Sequence, residues 1–323
     1  MARNKQVVQI PETLSKSLFD EALRAQYARI SASLPPFFSS IQVYELHLTE
    51  SRRRIDLSTL VRNTPEDRMA FAQWVAGMRK TYPPEAFDAL YRLAQAWVHA
   101  PGPFANIHFL WLEFDLRADS THLPVPGLVA GFVPGTEPEM IQRDILHLAT
   151  FLPLQAEAIY TSLSQVFTQW EACTGSCTFS YMLGRRPGNA FRLLFAAEEL
   201  HFTDKLTGAL PDADNKFKFG SISRQLAAMP GYLRLELNLD ETGILPMRAV
   251  HHFAHLHPGN APGPADLLHY EGVCTDENIG IVRKLAVGQG PTSPHLLATK
   301  LLYHGENRPL TGKAYFRYIA YPG

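Results

Sequence analysis

An excess of charge of either sign is missing from this 323-residue chain: 30 Lys+Arg stand against 31 Asp+Glu, a formal net charge of −1. A general nucleic-acid face or an anionic-membrane surface would carry a basic excess, so neither is expected as a partner. Cysteine is scarce. Three in the whole chain make no disulfide framework, which points to a reducing compartment. Cys173 and Cys177 have C-x₃-C spacing, but no second pair completes a zinc site and Cys274 stands alone. No stretch of eighteen apolar residues occurs, so no transmembrane helix is expected. The N-terminal residues lead into no signal-peptide pattern, and the expectation is a soluble cytoplasmic protein. Also absent are the G-x-G-x-x-G and P-loop signatures of dinucleotide and NTP folds, and the G-x-S-x-G elbow of serine hydrolases.

What is present is ordinary globular composition, 46% hydrophobic and 19% charged, punctuated by 24 prolines and 21 glycines. Alternating apolar and polar residues mark strands in pairs near 41–61, 107–133, 177–197, 232–253 and 296–321. Turn chemistry separates the members of a pair, as at Asp240-Glu241-Thr242-Gly243. Helical periodicity fills the gaps: 11–32, 65–98 divided at Pro83-Pro84, 137–172 broken near Pro153, and 264–287. Residues 198–230 are irregular except for a short helix in SISRQLAAM, and a lid or substrate-recognition loop is one use of such a stretch. The rhythm predicts one α/β unit over 1–323.

Splitting each strand by parity separates its two faces. In 232–239, Leu233, Leu235, Leu237 and Leu239 oppose Tyr232, Arg234, Glu236 and Asn238. In 109–116, Leu110, Leu112, Phe114 and Leu116 oppose Phe109, Trp111, Glu113 and Asp115. Elsewhere Glu45 and His47 oppose Tyr44, Leu46 and Leu48, Arg54 and Asp56 oppose Ile55 and Leu57, and Lys313, Tyr315 and Arg317 oppose Ala314, Phe316 and Tyr318. The apolar face needs cover, which the helices supply. The other face is polar and studded with aromatics. An open α+β sheet, or two α+β domains, would turn it to water. A ten-stranded antiparallel β-barrel would enclose it as a lumen wide enough for a ligand and leave no edges.

The alternation of helices with five antiparallel strand pairs resembles the ABBA, or PT-barrel, aromatic prenyltransferases. The stretch Lys300-Leu-Leu-Tyr-His, followed by Pro309-Leu-Thr-Gly-Lys313-Ala-Tyr-Phe, is similar to their closing hairpin. Trp111-Leu-Glu113-Phe-Asp115 and Arg192-Leu-Leu are similar in kind to their strands. The size resembles the bacterial cyanobactin-type branch, which modifies ribosomal peptides. The resemblance implies a ten-stranded barrel with a polar lumen, surrounded by helices. It implies transfer of an allylic group from a prenyl diphosphate co-substrate to a peptide or small aromatic acceptor. The D-D-x-x-D motif of helical terpenoid enzymes is absent, so barrel cations would carry the diphosphate, with Mg²⁺ as an optional helper and no dedicated metal ligands.

The departing diphosphate needs convergent cations. Arg54, Arg192, Arg234, Lys300, Lys313 and Arg317 are the candidates on the polar faces. The same cations could instead pair with Glu45, Asp56, Glu113, Asp115 and Glu236 in an internal lattice. Glu113, between Trp111 and Asp115, is the candidate base or acceptor-orienting carboxylate. Trp111, Tyr232, Glu236 and Tyr315 are expected around the prenyl chain or acceptor, where ring faces shield a cation. The cluster His251, His252, His255 and His257 fits no standard zinc spacing and reads as a strand running into a rim loop. Two rival functions stand beside prenyl transfer: acid–base chemistry on a peptide in the same barrel, and a non-catalytic barrel that binds a peptide or small molecule.

Overall fold

A computed structural model describes residues 18–35, 38, 41–50, 54–82, 84–99, 102–116, 123–169, 176–183, 190–197, 213–254, 263–286, 295–305 and 308–319. Ten strands follow one another: β1 Ile41–His47, β2 Ile55–Arg62, β3 Ile107–Leu116, β4 Gly127–Phe132, β5 Cys177–Tyr181, β6 Phe191–Ala197, β7 Gly231–Asp240, β8 Gly243–Ala254, β9 His295–Tyr303 and β10 Thr311–Ile319. Each pairs antiparallel with its sequence neighbours, and β1 also pairs with β10, closing the barrel. The closing register sets Tyr44 opposite Phe316, Glu45 opposite Tyr315 and His47 opposite Lys313. Closure leaves no unpaired edge, which an open sheet of the same strands would expose.

The outward face is the core. Leu235, Leu237 and Leu239 on β7, and Leu110, Leu112, Phe114 and Leu116 on β3, are all at most 2% exposed. Each such side chain contributes about 1.5–3 kcal/mol by leaving water. Helices cover them, and their local sequence shows why they form. Helix Pro65–Thr81 begins with Pro65 behind the N-cap Thr64, whose hydroxyl accepts from Asp67 N; it carries Glu66 and Asp67 in its first turn and Arg79 and Lys80 in its last. In helix Pro84–His99, Phe87, Leu90, Leu93, Ala94 and Trp97 recur at helical spacing and are buried. Trp74 meets Phe114 of β3 edge-on at 6.2 Å, tying the helical layer to the barrel wall.

Hairpin turns join the odd strand to the even strand of each pair at one end of the barrel. Helical segments make the return connections at the other end. The β7–β8 turn is tight: Asp240 Oδ1 accepts from Thr242 N at 2.8 Å and from its hydroxyl at 2.6 Å, and Gly243 takes φ +128°, which side chains disfavour. At the helix-connection end the Phe109 ring lies so close over Gly131 that a Cβ there would sit 2.2 Å from it.

Helix Ala213–Ala227 is longer than the segment expected within 198–230. Its anchors Phe219, Ile222 and Leu226 recur at three- and four-residue intervals and are fully buried, while Phe217, 74% exposed, sits off that period and blurs it in the sequence. Residues 198–212, His255, His257 and Cys173 lie outside the described residues. No helix among the described residues is long and apolar enough to cross a membrane.

Candidate functional site

At the hairpin end the lumen holds a cavity of about 250 Å³. Four cations line it, Arg54, Arg192, Lys300 and Lys313, supplied by the β1–β2 turn, β6, β9 and β10. His47, Glu50, Glu236, Asn238 and His304 also face it. Cross-strand register makes this convergence: Lys313 stands opposite Lys300, Lys300 opposite His251, and Arg192 opposite Asn238.

Each of these cations meets a carboxylate. Lys300 Nζ donates to Glu236 Oε2 at 2.7 Å. Lys313 Nζ donates to Glu45 and lies 3.8 Å from Asp56 Oδ2. Arg192 Nη2 lies 3.5 Å from Glu113 Oε2 and donates to Ser180 Oγ at 2.8 Å. Arg54 lies 3.7 Å from Glu50, 3.9 Å from Asp56 and 4.0 Å from Asp115. Removing such charges from water is costly, and a pair recovers that cost only where several partners meet each group.

The two lysines are held unequally. Burial opposes the Lys313 charge, but Glu45 and Asp56 outweigh it and push its pKa up. Burial lowers Lys300, and Glu236 offsets only part of that. Lys300 is therefore the less fully neutralised of the two. Burial also opposes the Glu45 and Glu236 carboxylates, yet Lys313 holds the first down and Lys300 holds the second well below the usual range. Asp56 goes the other way. Burial first, then Glu45, raise it to about 7, so it holds a proton far more readily than an ordinary carboxyl. The Tyr315 hydroxyl, hydrogen-bonded to Glu45, stays protonated far above its ordinary range because of burial and the carboxylates around it.

The sequence candidates divide between the two ends. Arg54, Arg192, Glu236, Lys300 and Lys313 line the cavity, with Glu113 against Arg192. Arg234 and Arg317 share their lumen parity but not the cavity: Arg234 donates to Ser176 and lies 5.4 Å over the Phe253 ring. Tyr232, 49% exposed, stacks on Phe253 at 5.0 Å and 7°. Trp111 meets Phe109 at 6.2 Å. Tyr315 sits 5.8 Å from the His251 ring, which is 6.2 Å from Phe253. His251 is not at a rim. It is buried in the lumen with Nε2 3.0 Å from Glu236 Oε2. The alternation of β8 contained this placement, but the run of four histidines drew attention to the loop instead.

The groups Glu45–His47–Asp56 and Asp56–Glu113–Asp115 each bring three ligand atoms within 4.8 Å of one another. The sequence named no metal ligands, and converging carboxylates are only the start of a Mg²⁺ site, which needs near-octahedral oxygen ligands. The surrounding cations argue otherwise. Lys313 stands against the first group, and Arg54 and Arg192 against the second, each where a divalent ion's charge would fall. The donor sets do not fit a resident Mg²⁺.

No protein-family model and no curated protein matches the chain. Solved structures do. The prenyltransferase PriB, in a ternary complex with L-tryptophan and dimethylallyl thiolodiphosphate, is 15% identical, with a TM-score of 0.60 over 95% of this chain and 93% of its own. AnaPT from Neosartorya fischeri is 12% identical, with a TM-score of 0.60 over 95% and 90%. The 6-dimethylallyltryptophan synthase from Micromonospora olivasterospora, in complex with DMASPP and Trp, is 10% identical, with a TM-score of 0.57 over 97% of both chains. At these identities the likeness is one of fold: the helix-wrapped ten-stranded PT barrel.

Proposed function

We propose that this barrel transfers a prenyl group from an allylic diphosphate to an aromatic or other nucleophilic acceptor. The observation that carries the reading is the convergence of Arg54, Arg192, Lys300 and Lys313, from four parts of the chain, on one cavity inside a closed barrel. Support comes from solved structures of the same fold that are prenyltransferases, two of them holding a thiolodiphosphate donor analogue or DMASPP beside tryptophan.

In this reading Lys300 and Lys313 hold the diphosphate as point charges, and Arg192 and Arg54 match its oxygens in pairs. An ammonium has three N–H donors, so each lysine can keep its carboxylate and still bind the donor. As the C–O bond lengthens, these cations stabilise the charge gathering on the leaving group. Tyr315 and His251 border the same stretch of lumen, where ring faces favour an allyl cation. Glu113, 7% exposed and held by Arg192, orients the acceptor or takes its proton. Arg234, Trp111 and Tyr232 fall on the acceptor side, and Arg317 shares the lumen parity. No step runs through Mg²⁺. The finer assignment, a ribosomal-peptide side chain as acceptor, rests on the resemblance to the cyanobactin-type branch.

The pairing of every cavity-lining cation named above favours a second reading, a binding barrel whose charges are structural. Calorimetric titration with dimethylallyl, geranyl and farnesyl thiolodiphosphates, with and without Mg²⁺, separates the two. The transferase should bind one of them with a micromolar Kd and lose it in Lys300→Ala. A folded protein that binds none of the three would end the transferase reading.

A further inference from the structure

Alkylation of an acceptor X–H, on the reading above, leaves a proton behind. The acceptor's electron pair forms the X–C bond, the donor's C–O bond breaks with its pair on diphosphate, and the X–H proton stays in the lumen. The carboxylates there are enclosed: Asp56 is 0% exposed, Glu45 6% and Glu113 7%. A buried base that cannot pass its proton on serves one turnover.

His47 stands between these carboxylates and the hairpin mouth. Its Nε2 lies 2.9 Å from Asp56 Oδ2 and 3.7 Å from Glu45 Oε1. Its Nδ1 lies 3.2 Å from Glu50 Oε1, on a side chain 45% exposed. One imidazole therefore touches an enclosed carboxylate with one nitrogen and a solvent-facing carboxylate with the other. Asp56 is the collecting point, because Glu113 and Asp115 each place an oxygen within 4.8 Å of it, a gap one water spans, and Glu45 opposes it in register.

We propose that Asp56, His47 and Glu50 form a proton exit from the lumen to the hairpin mouth. A proton taken by Glu113 crosses to Asp56, the Asp56 hydroxyl gives it to His47 Nε2, and His47 gives its Nδ1 proton to Glu50 and so to water. Exchange with cavity water, which takes the Nε2 proton and returns one to Nδ1, resets the tautomer. The groups facing His47 are Glu45, Glu50, Asp56, Arg54 and Lys313. Burial and Lys313 hold His47 down at about 4 while Asp56 sits at about 7, so the resting proton belongs to Asp56 and the imidazole holds a second one only in passing.

Two measurements on the full chain test this. The first needs no turnover: ¹⁵N spectra of the His47 ring. The relay requires the Nδ1–H tautomer, with ring-proton exchange that slows roughly tenfold in Glu50→Gln. An Nε2–H tautomer, or exchange indifferent to Glu50, overturns it. The second is prenyl transfer by His47→Gln. The relay requires kcat to fall about 10- to 100-fold, well beyond any change in donor Kd, and to recover partly when imidazole is added. A parallel loss of kcat and donor affinity without rescue would mark a structural role and overturn it. A wild type inert toward prenyl donors, but with the expected spectra, sinks the transferase reading and leaves the proton path. Intact turnover with the opposite spectra sinks the path alone.

Discussion

The two ends of the lumen are built from the same ten strands on opposite principles. The hairpin end is ionic: Glu45, Asp56, Glu236, Lys300 and Lys313 are each under 9% exposed and are joined cation to carboxylate. The helix-connection end is aromatic and more open, with Tyr232 stacked on Phe253, Arg234 over the same ring, and Phe109 beside Trp111. Charge can be enclosed only where partners meet it from several strands, whereas stacked rings need no partner and tolerate water. A leaving group that must be neutralised suits the first end, and an acceptor that enters from solvent suits the second.

The largest blow to this contrast is Lys313→Met. It leaves Glu45 and Asp56 enclosed without their ammonium and should cost about 3–5 kcal/mol in urea unfolding. Adding Glu45→Gln should restore most of that loss; no recovery would mean the lattice does not hold the hairpin end.

Acid probes the same end. Burial and Lys300 keep His251 down at about 4, while an unfolded histidine titrates near 6.5. Between those values the unfolded chain binds a proton the native chain refuses, so stability should fall as pH drops through that window. Asp56 and His47 offset one another there, because the native pair keeps its proton on Asp56 and the unfolded pair keeps it on His47. Below about 4.5 the depressed carboxylates Glu45 and Glu236 add a further loss. Denaturation midpoints across pH should therefore flatten between 6.5 and 4 in His251→Phe; an unchanged slope would assign it to another group.

The aromatic end should answer differently. Gly131→Ala pushes the Phe109 ring off β4 and should cost about 1–3 kcal/mol, leaving donor-analogue affinity alone. Smallest is Tyr232→Ala, about 0.5–1.5 kcal/mol from the lost stack, with weaker acceptor binding and no change at the cation site. Donor affinity that falls with either variant would show the two ends to be coupled.

Much of the fold was legible because a half-buried strand displays its faces as parity. The expected pairs agree with β1–β10 to within two residues at nearly every boundary, and the outward leucines of β7 are all buried. The site was legible as a face and not as a height. Arg192, Arg234, Lys300, Lys313 and Arg317 were all assigned to the lumen, yet only Arg192, Lys300 and Lys313 of these reach the cavity. Parity says inside or outside; how far along the barrel a side chain lies depends on the stagger between strands.

The amino-acid order by itself determined which residues turn inward, because alternation is local and each strand carries its own. The tertiary structure alone decided who meets whom. Lys313 reaches Glu45 across 268 residues only because β10 closes on β1 in one register, and Lys300 reaches Glu236 across 64 because β8 pairs with both β7 and β9. A slip of one residue would turn every one of those charges outward. The register is a property of the closed barrel, set jointly by ten strands and their helical cover.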